Sequence, residues 1–268
     1  MNKVGMKKIW IYLVMSLGLA ACSNEVDSPF AEGMGGLRLP AKMDTEITIP
    51  VITKSADFSD LRVEDLFIRI YDESGALVNT GAETYGDLLE QDEEGEGGLP
   101  IVLPLGSYTV KASTSTKEAD GVMATPYFAA TQENVIVEEK RISTAVLRCT
   151  LQSIGVELQL SERFKAKMEE EPNNYSYEVT VTNGKAKWEF SPEQMTVGYF
   201  IEPCDELVAT VRVRLGSSNE WYPIRTYRIK NDGQAPRLGE YYIITLDAGE
   251  EPETNEASLR AVQINHER

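Results

Sequence analysis

Alternation of apolar and polar residues with a period of two runs through much of this chain, and it constrains the fold more than any other feature. Ile47, Ile49 and Val51, then Leu66, Ile68 and Ile70, then Tyr108, Val110 and Ala112 place apolar side chains on one side of an extended backbone. Several such runs, bounded by turn residues, describe an all-β protein. The sharpest local signal is Asn183-Gly184, a pair that favours a two-residue type I′ hairpin turn. In that register Val181 faces Ala186, Val179 faces Trp188 and Tyr177 faces Phe190, all on one face. The Thr180–Lys187 and Glu178–Glu189 pairs point the other way, so one side of the hairpin covers a core.

The alternation changes phase within Ile142–Leu160. Apolar residues hold odd positions from Ala145 to Leu151 and even positions from Ile154 to Leu160. A single strand requires a bulge or a break near Gln152-Ser153 to do this. Two strands serving two cores, with a domain boundary near residue 152, satisfy the pattern; one bulged strand in a larger sandwich is the alternative. Helix is scarce. Ser161 is placed to cap a short helix reaching Glu171, with Phe164 and Met168 on one face, and Tyr85 to Gln91 offers a single turn. Asp92 to Gly98 is acidic and glycine-rich but lacks the spaced carboxylates of a calcium loop, so it reads as a solvated loop. Residues 249–268 are polar and weakly patterned, and a flexible tail is expected there.

A processing signal precedes these strands. Lys3, Lys7 and Lys8 lead into the apolar run Ile9–Leu17, well short of the roughly 20 residues that span a bilayer. Leu19-Ala20-Ala21-Cys22 then resembles a bacterial lipobox, in which a peptidase cleaves before a cysteine whose thiol already carries diacylglycerol. An ordinary secretory signal beside a chance cysteine is the alternative. Glu25 and Asp27 resemble the surface-export signals of Bacteroidota lipoproteins, with the periplasmic leaflet as the other possible destination. Loss of residues 1–21 removes three lysines and no acid, so the formal charge moves from −17 to −20. A surface this acidic disfavours nucleic acid as a partner. The only histidine is His266, which argues against triads, histidine acid–base chemistry and zinc. Once Cys22 is lipidated, Cys149 and Cys204 remain in an oxidising compartment where a disulfide is allowed. Cys149 nevertheless shares the parity of Leu147 and Leu151 and reads as a small buried hydrophobe.

Phe67-Ile68-Arg69-Ile70-Tyr71 with Asp72 to Gly75, Leu103-Pro104-Leu105-Gly106-Ser107-Tyr108-Thr109-Val110-Lys111-Ala112, Pro126-Tyr127-Phe128, and Leu147 to Leu151 with Val156 form an ordered series. Over residues 35–247 this series resembles the uncharacterised lipoprotein family of gut Bacteroidota that lies near the fimbrillin-like (type V pilus) proteins. The resemblance implies two tandem β-sandwich domains of transthyretin-like or Ig-like topology, and a hairpin at Leu103–Ala112 with Gly106 in its turn. The expected division is a signal peptide at 1–21, a tether at 22–34, sandwiches at 35–152 and 153–248, and a tail at 249–268. In pilus-forming relatives a protease removes the first strand, and the groove accepts a strand from the next subunit. Carried onto this chain, Ile47–Ile52 is a candidate first strand with Lys54 as the basic site behind it, and Arg38 is another candidate for proteolytic maturation. A lysine there departs from the arginine-directed site of the best-known fimbrillins.

Together these features lead to an outer-membrane, cell-surface lipoprotein acting in pilus assembly or adhesion. Its expected partners are the membrane, other pilus subunits or further copies of itself, with no catalytic residues, cofactor or metal. A glycan-binding lipoprotein associated with nutrient uptake is the alternative. It needs an exposed aromatic platform, and Trp221 with Tyr222 is the candidate, because the hairpin register turns Trp188 inward. No Gly-x-Ser-x-Gly elbow or phosphate loop occurs, and no spacing singles out a carboxylate pair for hydrolysis.

Overall fold

The computed structural model describes residues 29–43, 58, 60–90, 98–115, 121–170, 175–214, 221–230 and 233–247, together with the backbone of 262–267. The signal, Cys22 and the tether as far as residue 28, the Ile47–Ile52 run, Lys54 and residues 91–97 of the acidic loop lie outside the described residues.

The chain is all-β, with little helix. Its strands in the first half are β1 (Met34–Arg38), β2 (Ala41–Met43), β3 (Phe67–Tyr71), β4 (Ile101–Pro104), β5 (Gly106–Ser113), β6 (Val122–Met123), β7 (Phe128–Val137), β8 (Ile142–Thr144) and β9 (Leu147–Leu151). The second half adds β10 (Ile154–Leu160), β11 (Ser176–Thr182), β12 (Lys187–Phe190), β13 (Gly198–Phe200), β14 (Leu207–Arg214), β15 (Arg225–Ile229), β16 (Tyr241–Leu246) and β17 (Val262–Glu267). Among the described residues two short α-helices, α1 (Tyr85–Leu89) and α2 (Glu162–Glu170), interrupt them.

Four sheets result. Sheet I has the order β4-β1-β8 and sheet II the order β2-β9-β7-β5-β3. Sheet III runs β17-β16-β10-β13-β6 and sheet IV runs β12-β11-β14-β15. Sheets I and II enclose one core that includes Leu37, Leu103, Ile70, Val110, Phe128 and Leu147. Sheets III and IV enclose a second core around Val156, Leu158, Val179, Val211 and Ile244. Helix α2 closes that second core. Ser161 Oγ accepts from the Phe164 backbone N–H at 3.1 Å, Phe164 is fully buried against the Tyr177 ring, and Met168 packs on the same cluster. Helix α1 begins with a capping box in which Thr84 Oγ1 accepts from Asp87 N–H and the Asp87 carboxylate accepts from Thr84 N–H.

The phase change has a direct structural counterpart. Leu147, Cys149 and Leu151 of β9 point into the first core, whereas Ile154, Val156 and Leu158 of β10 point into the second. The outer face of sheet III packs on the first core through Tyr199, Tyr241 and Ile243. Strand β16 therefore carries buried residues on both faces, and its parallel pairing with β10 fits a strand covered on both sides. Strand β6 precedes residue 152 yet pairs with β13, so the first half of the chain contributes a strand to sheet III.

Three local expectations are corrected. The Asn183 hairpin forms with its apolar face intact, but Val181 faces Trp188 and Val179 faces Phe190, a register shifted by two residues. A type I′ turn needs a positive φ at both central residues, and in this loop only Gly184 has one (φ 86°). Asn183 Oδ1 instead accepts from the Lys185 and Ala186 backbone N–H groups, making the loop four residues long. Because side chains alternate with period two, a two-residue shift keeps each on its side, and Trp188 stays half-buried against the second core.

The Leu103–Ala112 segment is a corner between sheets and not a hairpin. Strand β4 pairs with β1, and β5 pairs with β3 and β7. Tyr108, Val110 and Ala112 are buried as expected, and the Tyr108 hydroxyl donates back to the Pro104 carbonyl at 2.9 Å, pinning the corner. The expected tail also changes: residues 262–267 form β17, antiparallel to β16, which covers an edge that β16 would otherwise leave unpaired. His266 stands opposite Tyr242 in that ladder.

Both glycines of β1 are required by close approach. A Cβ on Gly35 would collide with the Glu138 carbonyl oxygen, and one on Gly36 would sit 2.5 Å from the Phe30 ring. Gly36→Val is expected to lower stability by about 1–3 kcal/mol, read as a lower urea midpoint. Arg38→Gln, at an exposed position in the same strand, should stay within about 0.5 kcal/mol of the parent.

Candidate functional site

Two places combine the sequence-derived site residues with built geometry. The first is the slot that holds β1. This strand runs antiparallel to β4 on one side and parallel to β8 on the other, so it is the centre of sheet I. It carries little side-chain volume, since two of its five residues are glycine and Leu37 is its fully buried anchor. Pairing therefore rests largely on backbone hydrogen bonds, among them Gly36 N–H to the Arg141 carbonyl at 2.8 Å. Arg38 closes the strand with an exposed side chain, while its carbonyl accepts from Ala145 N–H at 2.9 Å. Beside β4 lies a groove of about 560 Å³ lined by Val78, Ala82, Leu88, Ile101 and Leu103.

The second place is the outer face of sheet IV. Strand β14 alternates strictly, with Leu207, Ala209, Val211 and Val213 buried and Val208, Thr210, Arg212 and Arg214 facing outward. Trp221 lies across this face: the Arg212 guanidinium carbon is 4.4 Å from its ring centroid and that of Arg214 is 5.6 Å away. Tyr222, the next residue, donates its backbone N–H to the Val213 carbonyl and packs against the second core. The two proposed platform aromatics are thus separated, with Trp221 on the arginines and Tyr222 at the core. Sequence reasoning missed the arginines. Their signal was the Val-Arg-Val-Arg alternation of residues 211–214, legible only once Trp221 is placed beside it.

Among the described residues no group of three or more His, Cys, Asp or Glu is arranged to hold a metal ion. Cys149 and Cys204 are both free thiols, and burial pushes Cys149 up to about 11. The buried Glu240 carboxylate accepts from the Tyr242 hydroxyl at 2.6 Å and from Arg237 N–H at 2.8 Å. Glu157 accepts from the Tyr241 hydroxyl at 2.8 Å. A cleft of about 650 Å³ between the sandwiches is lined by Tyr127, Thr131, Arg148, Gln152, Ile201 and Leu238.

A family model matches residues 33–267 and is described as a domain of unknown function, DUF4493. The chain belongs to the DUF4493 family. No curated protein matches it in sequence. Similar solved structures include a fimbrial assembly protein from Parabacteroides distasonis, at 12% identity and a TM-score of 0.42, covering 81% of this chain and 91% of that one. The fimbrial anchor protein Mfa2 from Porphyromonas gingivalis is another, at 13% identity and a TM-score of 0.40, covering 87% of this chain and 99% of that one.

Two buried tyrosines couple the stability of this DUF4493 chain to alkaline pH. Burial, with the Glu193 charge for Tyr177 and the Glu157 charge for Tyr199, pushes both hydroxyls up to about 12. Their protonated forms are favoured in the folded state, so their contribution is complete below pH 10 and is lost as pH rises through about 12. Tyrosinate absorbance should therefore lag that of free tyrosine, and the late fraction should appear together with loss of near-ultraviolet circular dichroism.

Proposed function

We propose that this chain is a lipid-anchored, noncatalytic cell-surface protein of the outer membrane, acting in pilus assembly or adhesion. The observation that carries the reading is β1. It is the first described strand, and it follows closely on the Cys22 lipobox and its tether. It fills the centre of sheet I and is gripped from both sides mainly through its backbone. Cleavage after Arg38 detaches this strand together with the anchor and opens a slot between β4 and β8. An extended segment from another subunit restores the same ladder, because backbone hydrogen bonds accept many sequences while pockets select among them. Lys54, outside the described residues, is the second cleavage candidate. The reading treats residues 35–152 and 153–248 as tandem units, with β6 lent from the first to the second.

The test is limited digestion of the purified, lipid-free precursor with an arginine-specific protease. The expected product begins at Leu39 and forms an SDS-resistant ladder, and Arg38→Gln should abolish both the cut and the ladder. A monomer that loses only its ends and keeps β1 would remove the assembly reading. The anchor is tested separately: Cys22→Ser should prevent incorporation of labelled palmitate in cells and release the protein from membranes.

A further inference from the structure

Strands β14 and β15 depart from the rest of the chain in charge. In a protein of formal charge −17, Leu207–Arg214 and Arg225–Lys230 hold five basic residues and no acidic one. Among the described residues, two acids lie within ion-pair range of Arg212, Arg228 and Lys230. Glu178 lies 3.3 Å from Arg212, while Glu206 lies 3.6 Å from Arg228 and 3.9 Å from Lys230. Arg212, Arg214, Arg228 and Lys230 against Glu178 and Glu206 leave a basic excess along the described part of the strip. Arg212, Arg214 and Arg228 share the outer face of sheet IV, since Arg228 pairs with the outward Val208. A row of hydroxyls, Thr180–Thr210–Thr226, runs across three strands in register on that face. Trp221 lies over Arg212 and Arg214 and keeps part of its surface in solvent.

We propose that this face binds an anionic polysaccharide carrying uronate or sulfate groups. Each component has a chemical counterpart in such a ligand. The indole offers an apolar face to the C–H side of a pyranose ring. The threonine row exchanges hydrogen bonds with sugar hydroxyls. The guanidinium forks pair with carboxylate or sulfate oxygens. An acidic protein partner would use the arginines but has no need of an indole beside a hydroxyl row, which is why the sugar is favoured. The site stands apart from the assembly reading, because it lies on the sandwich that does not contain β1.

The experiment titrates the purified chain with polygalacturonate, heparin, neutral dextran and poly-glutamate, following intrinsic tryptophan fluorescence and calorimetric heat. Binding of polygalacturonate identifies uronate as the recognised group, binding of heparin identifies sulfate, and dextran should not bind. Trp221→Ala should weaken the bound polyanion about tenfold, and Arg228→Gln, at a highly exposed side chain, about threefold to tenfold. Circular dichroism checks each variant. If Trp221→Ala loses its fold, Arg228→Gln decides: weaker binding supports the site and unchanged binding overturns it. Absence of binding to both acidic polysaccharides overturns the proposal. So does equal binding of poly-glutamate with no effect of Trp221→Ala, which would make the strip a docking surface for an acidic protein.

Discussion

Strand β16 of sheet III is buried on both faces, and the rest of the architecture follows from that constraint. The sheet's inner face supplies Val156, Leu158, Tyr242 and Ile244 to the second core, and its outer face supplies Tyr199, Tyr241 and Ile243 to the first. Aromatic rings carry the contact across the junction: Phe128 meets Phe58 edge-on at 5.3 Å, Phe58 lies 6.4 Å from Tyr199, and Tyr199 lies 6.5 Å from Tyr241. Aromatic pairs of this kind add about 0.5–1.5 kcal/mol each beyond the area they bury. Polar hydroxyls in such a layer need partners, and Glu157 and Glu240 supply them to Tyr241 and Tyr242. The two sandwiches thus share a wall and not merely a linker.

That shared wall explains what was legible beforehand and what was not. The change of parity between Leu151 and Ile154 is a local signal, because each residue reports the core it enters; the two cores were readable from it. The faces of the Asn183 hairpin were readable for the same reason. Its register was not, since the competition between a type I′ turn and an Asn side chain capping two backbone N–H groups is settled by geometry that the dipeptide alone does not carry. The corner at Leu105-Gly106 has the same alternation as a hairpin, and only the identity of the pairing partners separates the two. Strand β17 is polar and follows a long interval, so its place beside β16 comes from tertiary need.

The candidate sites follow a similar division. Arg38 and Trp221 stood out as individual residue types, but their meaning depends on neighbours distant in sequence. Arg38 ends a strand whose hydrogen-bonding partners come from β4 and β8, and Trp221 rests on arginines of the preceding strand. Tyr222 shows the limit of reading adjacent aromatics as one platform, because adjacent residues on an extended chain face opposite ways. The basic strip was hidden by the overall acidity, which averages over a surface whose charges are unevenly placed.

The position of β1 also bears on the order in which the chain can fold. Gly36 pairs with Ile142, and Ala41 of β2 pairs with Leu147, in each case about a hundred residues downstream. The segment synthesised first is therefore among the last that can be completed, since β8 and β9 must arrive before β1 and β2 have a ladder to join. Until then the half-built first sandwich holds an open seam, and the piece that closes it is the one already made.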